Sequence, residues 1–145
     1  MSRLTDTKRA YDKIAGLVDQ QLLKRGSDAN ELRRFRETLD VAFYLLGWAQ
    51  FEYLVRNEAE DRIDANSRAK TVDGIAWKYL LNNSKAIPIR RRLDLIFQGN
   101  QQLRASLDDD YELRNEAAHN YKMLPKEARQ ISEWLEKLEQ LIQRF

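Results

Sequence analysis

The feature that most constrains the fold of this chain is a helical repeat of apolar residues over one long uninterrupted segment. From about Ala29 to Asp64 apolar residues recur every three or four positions, a spacing that places them on one face of an α-helix. Gly47 is the one residue there that weakens a helix, at a cost of about 1 kcal/mol relative to Ala, and a glycine tolerated at such a position indicates close packing. The segment therefore predicts one long helix.

Short polar segments and a few Gly and Pro residues divide the rest of the chain into further helices. Gly26 is expected to end the first helix in the left-handed conformation, and Asp28 with Glu31 to cap the start of the long one. With five Gly, two Pro and 43% hydrophobic residues, the 145-residue chain predicts an all-α bundle of five or six helices in a single domain, residues 1–145. The other predicted helices cover about Thr5–Arg25, 71–83, 88–98, Asn100–Lys122 and Lys126–Arg144. In the helix at 71–83 the residues expected to face inward are Val72, Ile75, Ala76, Tyr79 and Leu80.

Composition excludes several classes of chemistry. Without cysteine there are no disulfides, thiolate nucleophiles or cysteine-bound zinc sites. The acidic run Asp108–Asp110 is expected to favour a helix N-terminus and not to bind a metal, because consecutive helical residues point in different directions. We therefore expect no metal and no cofactor. No apolar run is long enough for a membrane span or a secretory signal, so we expect a cytoplasmic protein without membrane contact.

The only histidine of the chain lies in the sequence YELRNEAAHNY, residues 111–121. Its pattern of Arg114, Asn115 and His119 resembles the signature of the HEPN superfamily, whose ribonuclease members carry an arginine, usually a polar residue next, and a histidine further on. Tyr121 extends the similarity to R-x4-H-x-Y, the form seen in HEPN toxins that are paired with a nucleotidyltransferase antitoxin. In those toxins the tyrosine is the residue modified to silence the toxin.

The resemblance implies an architecture and an activity. HEPN domains are helical bundles of about this length with a long second helix, and Glu52 lies where many members place a polar partner for the motif arginine. HEPN nucleases form two-fold dimers in which both motifs face a shared cleft. The resemblance thus implies a homodimeric, metal-independent endoribonuclease in a toxin, antiphage or RNA-stress system, whose products carry 2′,3′-cyclic phosphate and 5′-hydroxyl ends.

The same residues suit this chemistry without reference to a family. Residues four apart share a helix face, so Asn115 and His119 lie one above the other, while Arg114 starts about 100° around the helix and must reach across. By the same spacing Arg114, Ala118 and Tyr121 are expected to form a stripe beside the imidazole. Imidazole exchanges protons near neutrality, and a guanidinium holds two phosphate oxygens at once. These are the groups that cleavage of a phosphodiester requires.

Each of these interpretations has a plainer alternative that the sequence leaves open. Arg114 could form a surface ion pair with Glu112 or Glu116, and Tyr121 could pack in the core. The RNA-binding candidates Arg90, Arg91 and Arg92, like the cluster of Arg33, Arg34 and Arg36, could equally belong to solvated helix faces. For the whole chain the alternatives are a catalytically silent HEPN-like module that dimerises or binds RNA or nucleotides in a larger assembly, and a helical adaptor with no nucleic-acid role.

Overall fold

The computed structural model describes residues 2–24, 26, 28–128 and 130–145 of the chain. This part of the chain contains no β-strand, so the predicted all-α fold of five or six helices is confirmed. Two short 3₁₀ turns, Ser84–Ala86 and Lys126–Ala128, lie before the fourth and sixth helices. The helices are α1 (Arg3–Leu22), α2 (Ala29–Ser67), α3 (Val72–Asn82), α4 (Ile89–Phe97), α5 (Gln101–His119) and α6 (Ile131–Ile142).

Both signals predicted between α1 and α2 are present, but α1 ends at Leu22 and not near Arg25, so Gly26 lies in the connecting segment and does not itself end the helix. Gly26 has a φ of 79°, in the left-handed region that glycine adopts without steric cost. The carboxylate of Asp28 accepts a hydrogen bond of 3.1 Å from the backbone N–H of Glu31, so it satisfies one of the free donors at the start of α2. The predicted start of α2 at Ala29 is therefore correct.

The ends of three other helices differ from the prediction. α2 continues past Asp64 to Ser67. α5 ends at His119 and not near Lys122. α6 begins at Ile131, after a 3₁₀ turn, and not at Lys126. Apolar periodicity locates the middle of a helix, whereas its end depends on which groups satisfy the last backbone donors and acceptors.

The chain divides into two compact units, and α2 and α5 each supply residues to both. The first unit comprises Met1–Phe51 and Asp110–Arg144, and the second comprises Glu52–Asp109 with Phe145. The buried apolar residues of the first unit include Leu4, Tyr11, Ala15, Tyr44, Trp48, Phe51, Leu135 and Leu138. Those of the second are Val55, Ala59, Ile63, Leu93, Phe97 and Leu107.

Close packing between α2 and α6 organises the core of the first unit. The Trp134 ring stacks on Tyr44 with centroids 4.1 Å apart and an interplanar angle of 20°. Gly47 lies at this contact, where a Cβ atom would overlap the Leu135 side chain and approach the Trp134 ring to 2.9 Å. The expectation that Gly47 marks a close approach is confirmed.

In the second unit the predicted inward face of α3 is wrong. Val72, Ile75 and Tyr79 are 82%, 71% and 69% exposed, and Ala76 and Leu80 are exposed as well. The less exposed side of α3 carries Gly74, Trp77 and Leu81, which are also spaced by three and four residues. The helix has two stripes of suitable spacing, and packing against the rest of the unit covers the second one.

The predicted place of Asp108–Asp110 at a helix N-terminus is also wrong, because these residues lie inside α5. Asp108 is held there by arginines, with its Oδ1 2.9 Å from Nη1 of Arg104 and 3.5 Å from Nε of Arg90. Ion pairing along the helix surface therefore compensates the negative charge that the helix dipole was expected to stabilise.

Candidate functional site

The C-terminal half of α5 presents the motif and is anchored in the first unit on two sides. Tyr44 of α2 donates a hydrogen bond of 2.8 Å to the backbone carbonyl of Asp110, and burial raises the pKa of Tyr44, so the hydroxyl remains a donor. The carboxylate of Asp110 pairs with Lys137 of α6 at 3.3 Å. Ala117 is buried in the last turn of the helix. Contacts with α2 and α6 therefore fix the part of α5 that carries the motif residues.

Arg114 and Asn115 are joined directly. Nη1 of Arg114 donates a hydrogen bond of 2.9 Å to Oδ1 of Asn115, and both residues are half-buried. The guanidinium therefore reaches toward the side of the helix on which Asn115 lies. Arg114 forms no ion pair with any described carboxylate, and Glu116 pairs instead with Lys122 at 2.6 Å, so the surface ion pair considered for Arg114 is absent from the described part of the chain.

His119 is the last residue of α5 and is exposed. It lies one turn beyond Asn115, as the spacing predicts. Among the residues that the structure describes, none forms a hydrogen bond or an ion pair with the imidazole. Both ring nitrogens are therefore open to solvent and to any molecule that approaches this end of the helix.

Glu116 orders the chain where it leaves α5. Its backbone carbonyl accepts from the N–H groups of Asn120 and Lys122 at 3.1 and 3.3 Å, and its carboxylate binds the Lys122 ammonium. The hydrogen bond from Lys122 lowers the pKa of Glu116. These contacts hold the segment that follows His119 close to the helix end.

Tyr121 lies beyond the helix, and the predicted stripe with Arg114 and Ala118 is wrong. The residue has a φ of 54° and a side chain that is 89% exposed. A left-handed residue ends the helical repeat, so spacing along α5 no longer determines where the next side chain lies. The exposure also rules out core packing for Tyr121.

Glu52 belongs to the second unit, where its carboxylate lies 3.9 Å from Nη2 of Arg56, one turn further along α2. Both residues line a cavity of about 480 Å³ between the C-terminal half of α2, the segment before α4 and α4 itself. The predicted role of Glu52 as a partner of Arg114 stays a prediction.

The three consecutive arginines of α4 lie in three different environments. Arg90 pairs with Asp108 at 3.5 Å, and the exposed Arg91 pairs with Asp94 at 3.3 Å. Arg92 is only 6% exposed and lines the cavity of the second unit. The triplet therefore does not form one exposed basic strip, and its predicted contact with RNA stays a prediction.

Sequence reasoning missed Arg56, Glu60 and Lys85, which line this cavity together with Arg92. They are far apart in the chain and belong to no motif, so no local spacing could have grouped them. The one signal available was the unusual concentration of arginine before Leu93, which identified Arg92 as a candidate without indicating its neighbours.

Comparison with known proteins gives no match to this chain among family models, curated proteins or solved structures. No helix in the described ranges is long and apolar enough to cross a membrane. Within the same residues, no three His, Asp or Glu side chains form a group that could hold a metal ion.

Proposed function

We propose that this protein is a metal-independent endoribonuclease of the HEPN type, which acts in the cytoplasm in a toxin, antiphage or RNA-stress role. One observation carries the proposal. His119, an exposed imidazole with no hydrogen-bond or ion-pair partner among the described residues, stands one helical turn from Asn115, and Asn115 accepts a hydrogen bond from the guanidinium of Arg114. A proton-transfer group and a phosphate-binding group thus lie at the same end of α5.

These residues divide the chemistry of RNA cleavage between them. His119 removes the proton from the 2′-hydroxyl or protonates the departing 5′-oxygen, and a positioned acid or base of this kind contributes about 10²- to 10⁴-fold in rate. Arg114 stabilises the negative charge on the phosphorane, and Asn115 orients the phosphate or the imidazole. The products are a 2′,3′-cyclic phosphate and a 5′-hydroxyl.

A homodimer is part of the proposal because one chain has one histidine. General-base and general-acid catalysis in the same step work best with two proton-transfer groups, and a two-fold axis beside the end of α5 would bring two copies of His119 to one phosphate. The exposed imidazole is free to take part in such an arrangement.

The exposure of Tyr121 supports a regulatory partner. Its side chain projects almost entirely into solvent, two residues after His119, so an enzyme can reach the hydroxyl without unfolding the chain. A nucleotidyltransferase-type antitoxin that modified Tyr121 would add bulk and negative charge close to the proposed site, which would hinder the approach of RNA.

The alternative is a catalytically silent HEPN-like module that dimerises or binds RNA or nucleotides. One observation favours this alternative: within one chain Arg114 donates its hydrogen bond to Asn115, and no hydrogen bond joins Arg114 to His119 in the described residues. Neither residue lines any of three cavities of the described structure, two in the second unit and one beside Trp134 in the first. None of these three cavities of a single subunit therefore includes the motif.

Cleavage of single-stranded RNA in the presence of EDTA tests the proposal. We expect His119→Ala to lower the cleavage rate by about 10²-fold or more, and Arg114→Ala by about 10²- to 10³-fold. Arg68→Ala is the matched control for the loss of a positive charge, because Arg68 is exposed at the end of α2. Circular dichroism and thermal unfolding establish that all variants fold.

The products and the chelator distinguish the mechanisms. A 2′,3′-cyclic phosphate on the upstream fragment supports the proposed roles, whereas a 3′-hydroxyl or loss of activity in EDTA contradicts them. Intact RNA at high protein concentration, with RNA or nucleotide binding retained, would favour the silent module.

A further inference from the structure

The cavity in the second unit combines three cations with two carboxylates. Arg56 from α2, Lys85 from the 3₁₀ turn and Arg92 from α4 line it together with Glu52 and Glu60. Its volume of about 480 Å³ lies in the range of pockets that hold small molecules, which is roughly 300–1,000 Å³.

Arg92 is fixed in this cavity by the segment that precedes α4. Its Nε donates to the carbonyl of Ile87 at 3.0 Å and its Nη2 to the carbonyl of Ser84 at 2.6 Å. Because the guanidinium is planar and rigid, these two hydrogen bonds also determine the direction of the third nitrogen, Nη1.

Nη1 of Arg92 is buried and has no hydrogen-bond partner among the described residues. The carboxylate oxygen of Glu60 is 4.0 Å away, which is beyond hydrogen-bonding distance. Buried donors in folded proteins nearly always have an acceptor, so this nitrogen is available to an acceptor atom of a molecule that enters the cavity. Burial, and after it the positive charge of Arg56, lower the pKa of Arg92, whereas the carboxylates of Glu60 and Glu52 act in the opposite direction.

The surroundings favour an anion as the missing acceptor. Lys85 forms no ion pair with a described residue, and Arg56 is half-exposed and forms only a long ion pair with Glu52, at 3.9 Å. Ile89, the first residue of α4, also lines the cavity, and the positive end of a helix dipole favours negative charge. Three cations and two carboxylates leave a net positive charge that an anion would neutralise.

We propose that this cavity binds a terminal phosphate group, with Nη1 of Arg92 as the central donor and Arg56 and Lys85 closing around the remaining oxygens. The carboxylate of Glu60 is placed to accept from a hydroxyl of the same ligand. A phosphomonoester of a polyol has both groups, and it occurs as a free small molecule and at the 5′-phosphate end of an RNA. The proposal concerns the second unit and does not depend on cleavage by His119.

Isothermal titration calorimetry on the full chain, with ribose 5-phosphate as the probe and ribose as the unphosphorylated control, tests the proposal. We expect ribose 5-phosphate to bind and ribose not to bind. Arg56→Gln and Lys85→Gln each remove one cation from an exposed side chain, so both variants are expected to fold. Each is expected to weaken binding about tenfold or more. Arg91→Gln is the matched control, since Arg91 belongs to the same helix but does not line this cavity.

We expect Arg92→Gln to abolish binding. The substitution also removes the hydrogen bonds of Arg92 to the carbonyls of Ile87 and Ser84, so the thermal unfolding of this variant must be measured as well. The Arg56 and Lys85 variants leave those contacts in place, so the test does not depend on Arg92→Gln folding. Two outcomes would overturn the proposal. The first is that neither ribose 5-phosphate nor RNA ends bind, and the second is that wild type, Arg56→Gln and Lys85→Gln all bind with equal affinity.

Short RNAs with and without a 5′-phosphate distinguish the two sources of the group, with His119→Ala as the background so that the RNA remains intact. Tighter binding of the 5′-phosphorylated RNA that is lost in Arg56→Gln supports the site with an RNA end as its ligand. Binding of ribose 5-phosphate without any preference among RNAs supports the site with a free phosphomonoester as its ligand. Either result is independent of whether wild-type protein cleaves RNA.

Discussion

At the scale of single residues, the most unusual group in the first unit is a buried carboxylate, Asp40. It accepts a hydrogen bond of 2.7 Å from the hydroxyl of Tyr11, and Arg36 donates both to Asp40 and, at 2.8 Å, to the same hydroxyl. Arg36 also pairs with Asp19 at 3.1 Å. A buried charge is tolerated only with such partners, so these side chains link α1 to α2 in one specific arrangement.

This cluster predicts a specific loss of stability at high pH. Burial, followed by the hydrogen bond to Asp40, raises the pKa of Tyr11 from 10.0 to about 12. Because the folded state holds the proton more tightly, the stabilisation is complete below pH 10 and is lost as the pH rises toward 12. Between about pH 9 and 11.5 we expect the free energy of unfolding of wild type to fall by about 2 kcal/mol more than that of Tyr11→Phe.

Urea unfolding at the two pH values measures this difference. Other groups that titrate in the same range are present in both proteins and cancel. Tyr121→Phe is the control, because Tyr121 is exposed and its loss should leave the pH dependence of wild type unchanged. Parallel behaviour of wild type and Tyr11→Phe would show that the hydroxyl of Tyr11 does not contribute.

At the scale of helices, the contact between α2 and α6 depends on Gly47. We expect Gly47→Ala to lower the free energy of unfolding by about 1–3 kcal/mol, because the added methyl group overlaps Leu135 and crowds Trp134. Gly16→Ala in α1 is the matched control, because beyond its chain neighbours and the nearby backbone of its own helix no atom of the described residues lies within 4 Å of the added Cβ. It should raise the same quantity by about 0.5–1 kcal/mol through helix propensity.

Equilibrium denaturation of the two variants therefore gives changes of opposite sign for the same substitution. Destabilisation of similar size at both positions would mean that space around Gly47 is not limiting. The comparison also separates packing from backbone entropy, since both glycines are helical and lose the same unfolded-state freedom when replaced.

The helices also show how far apolar periodicity can be taken. In α2 a long pattern correctly predicted the helix and its start. In α3 the pattern correctly predicted a helix but selected Val72, Ile75 and Tyr79 as buried, although these side chains face solvent. An 11-residue helix carries more than one stripe of spacing three and four, and only contacts with other elements determine which stripe is covered.

At the scale of the whole molecule, the proposed nuclease needs two subunits to supply two imidazoles. If both act on one phosphate, a heterodimer of wild type and His119→Ala should be inactive. When equal amounts of the two proteins are refolded together, random pairing leaves about a quarter of the dimers with two wild-type subunits. We therefore expect about a quarter of the cleavage activity of the same total amount of wild type.

Initial rates over a series of mixing ratios, with the total protein concentration held constant, check this expectation. Activity that falls with the square of the wild-type fraction supports a shared site. Activity that falls in direct proportion to that fraction would show that each subunit cleaves RNA with its own imidazole. Mixing with Arg68→Ala instead should leave the rate unchanged, which controls for the refolding step.

The limits of prediction are clearest in the arginines. In the sequence Arg91 and Arg92 are adjacent and equivalent, yet the first is exposed and the second is buried with a free donor in a cavity. Arg36 likewise differs from Arg33 and Arg34 only by its contacts with Tyr11, Asp19 and Asp40. Charge and spacing identify a set of candidates, whereas burial and partners separate them.

The amino-acid sequence alone determined the helical class, the position of the long helix and the spacing of Asn115 and His119, because these depend on residues within one or two turns of each other. The tertiary structure decided which stripe of α3 is covered, where α5 ends around Glu116 and Tyr121, and which cations meet around Arg92. The reason is physical: periodicity is a local property of a helix, whereas burial, hydrogen-bond partners and cavities arise only between segments that are distant in the chain.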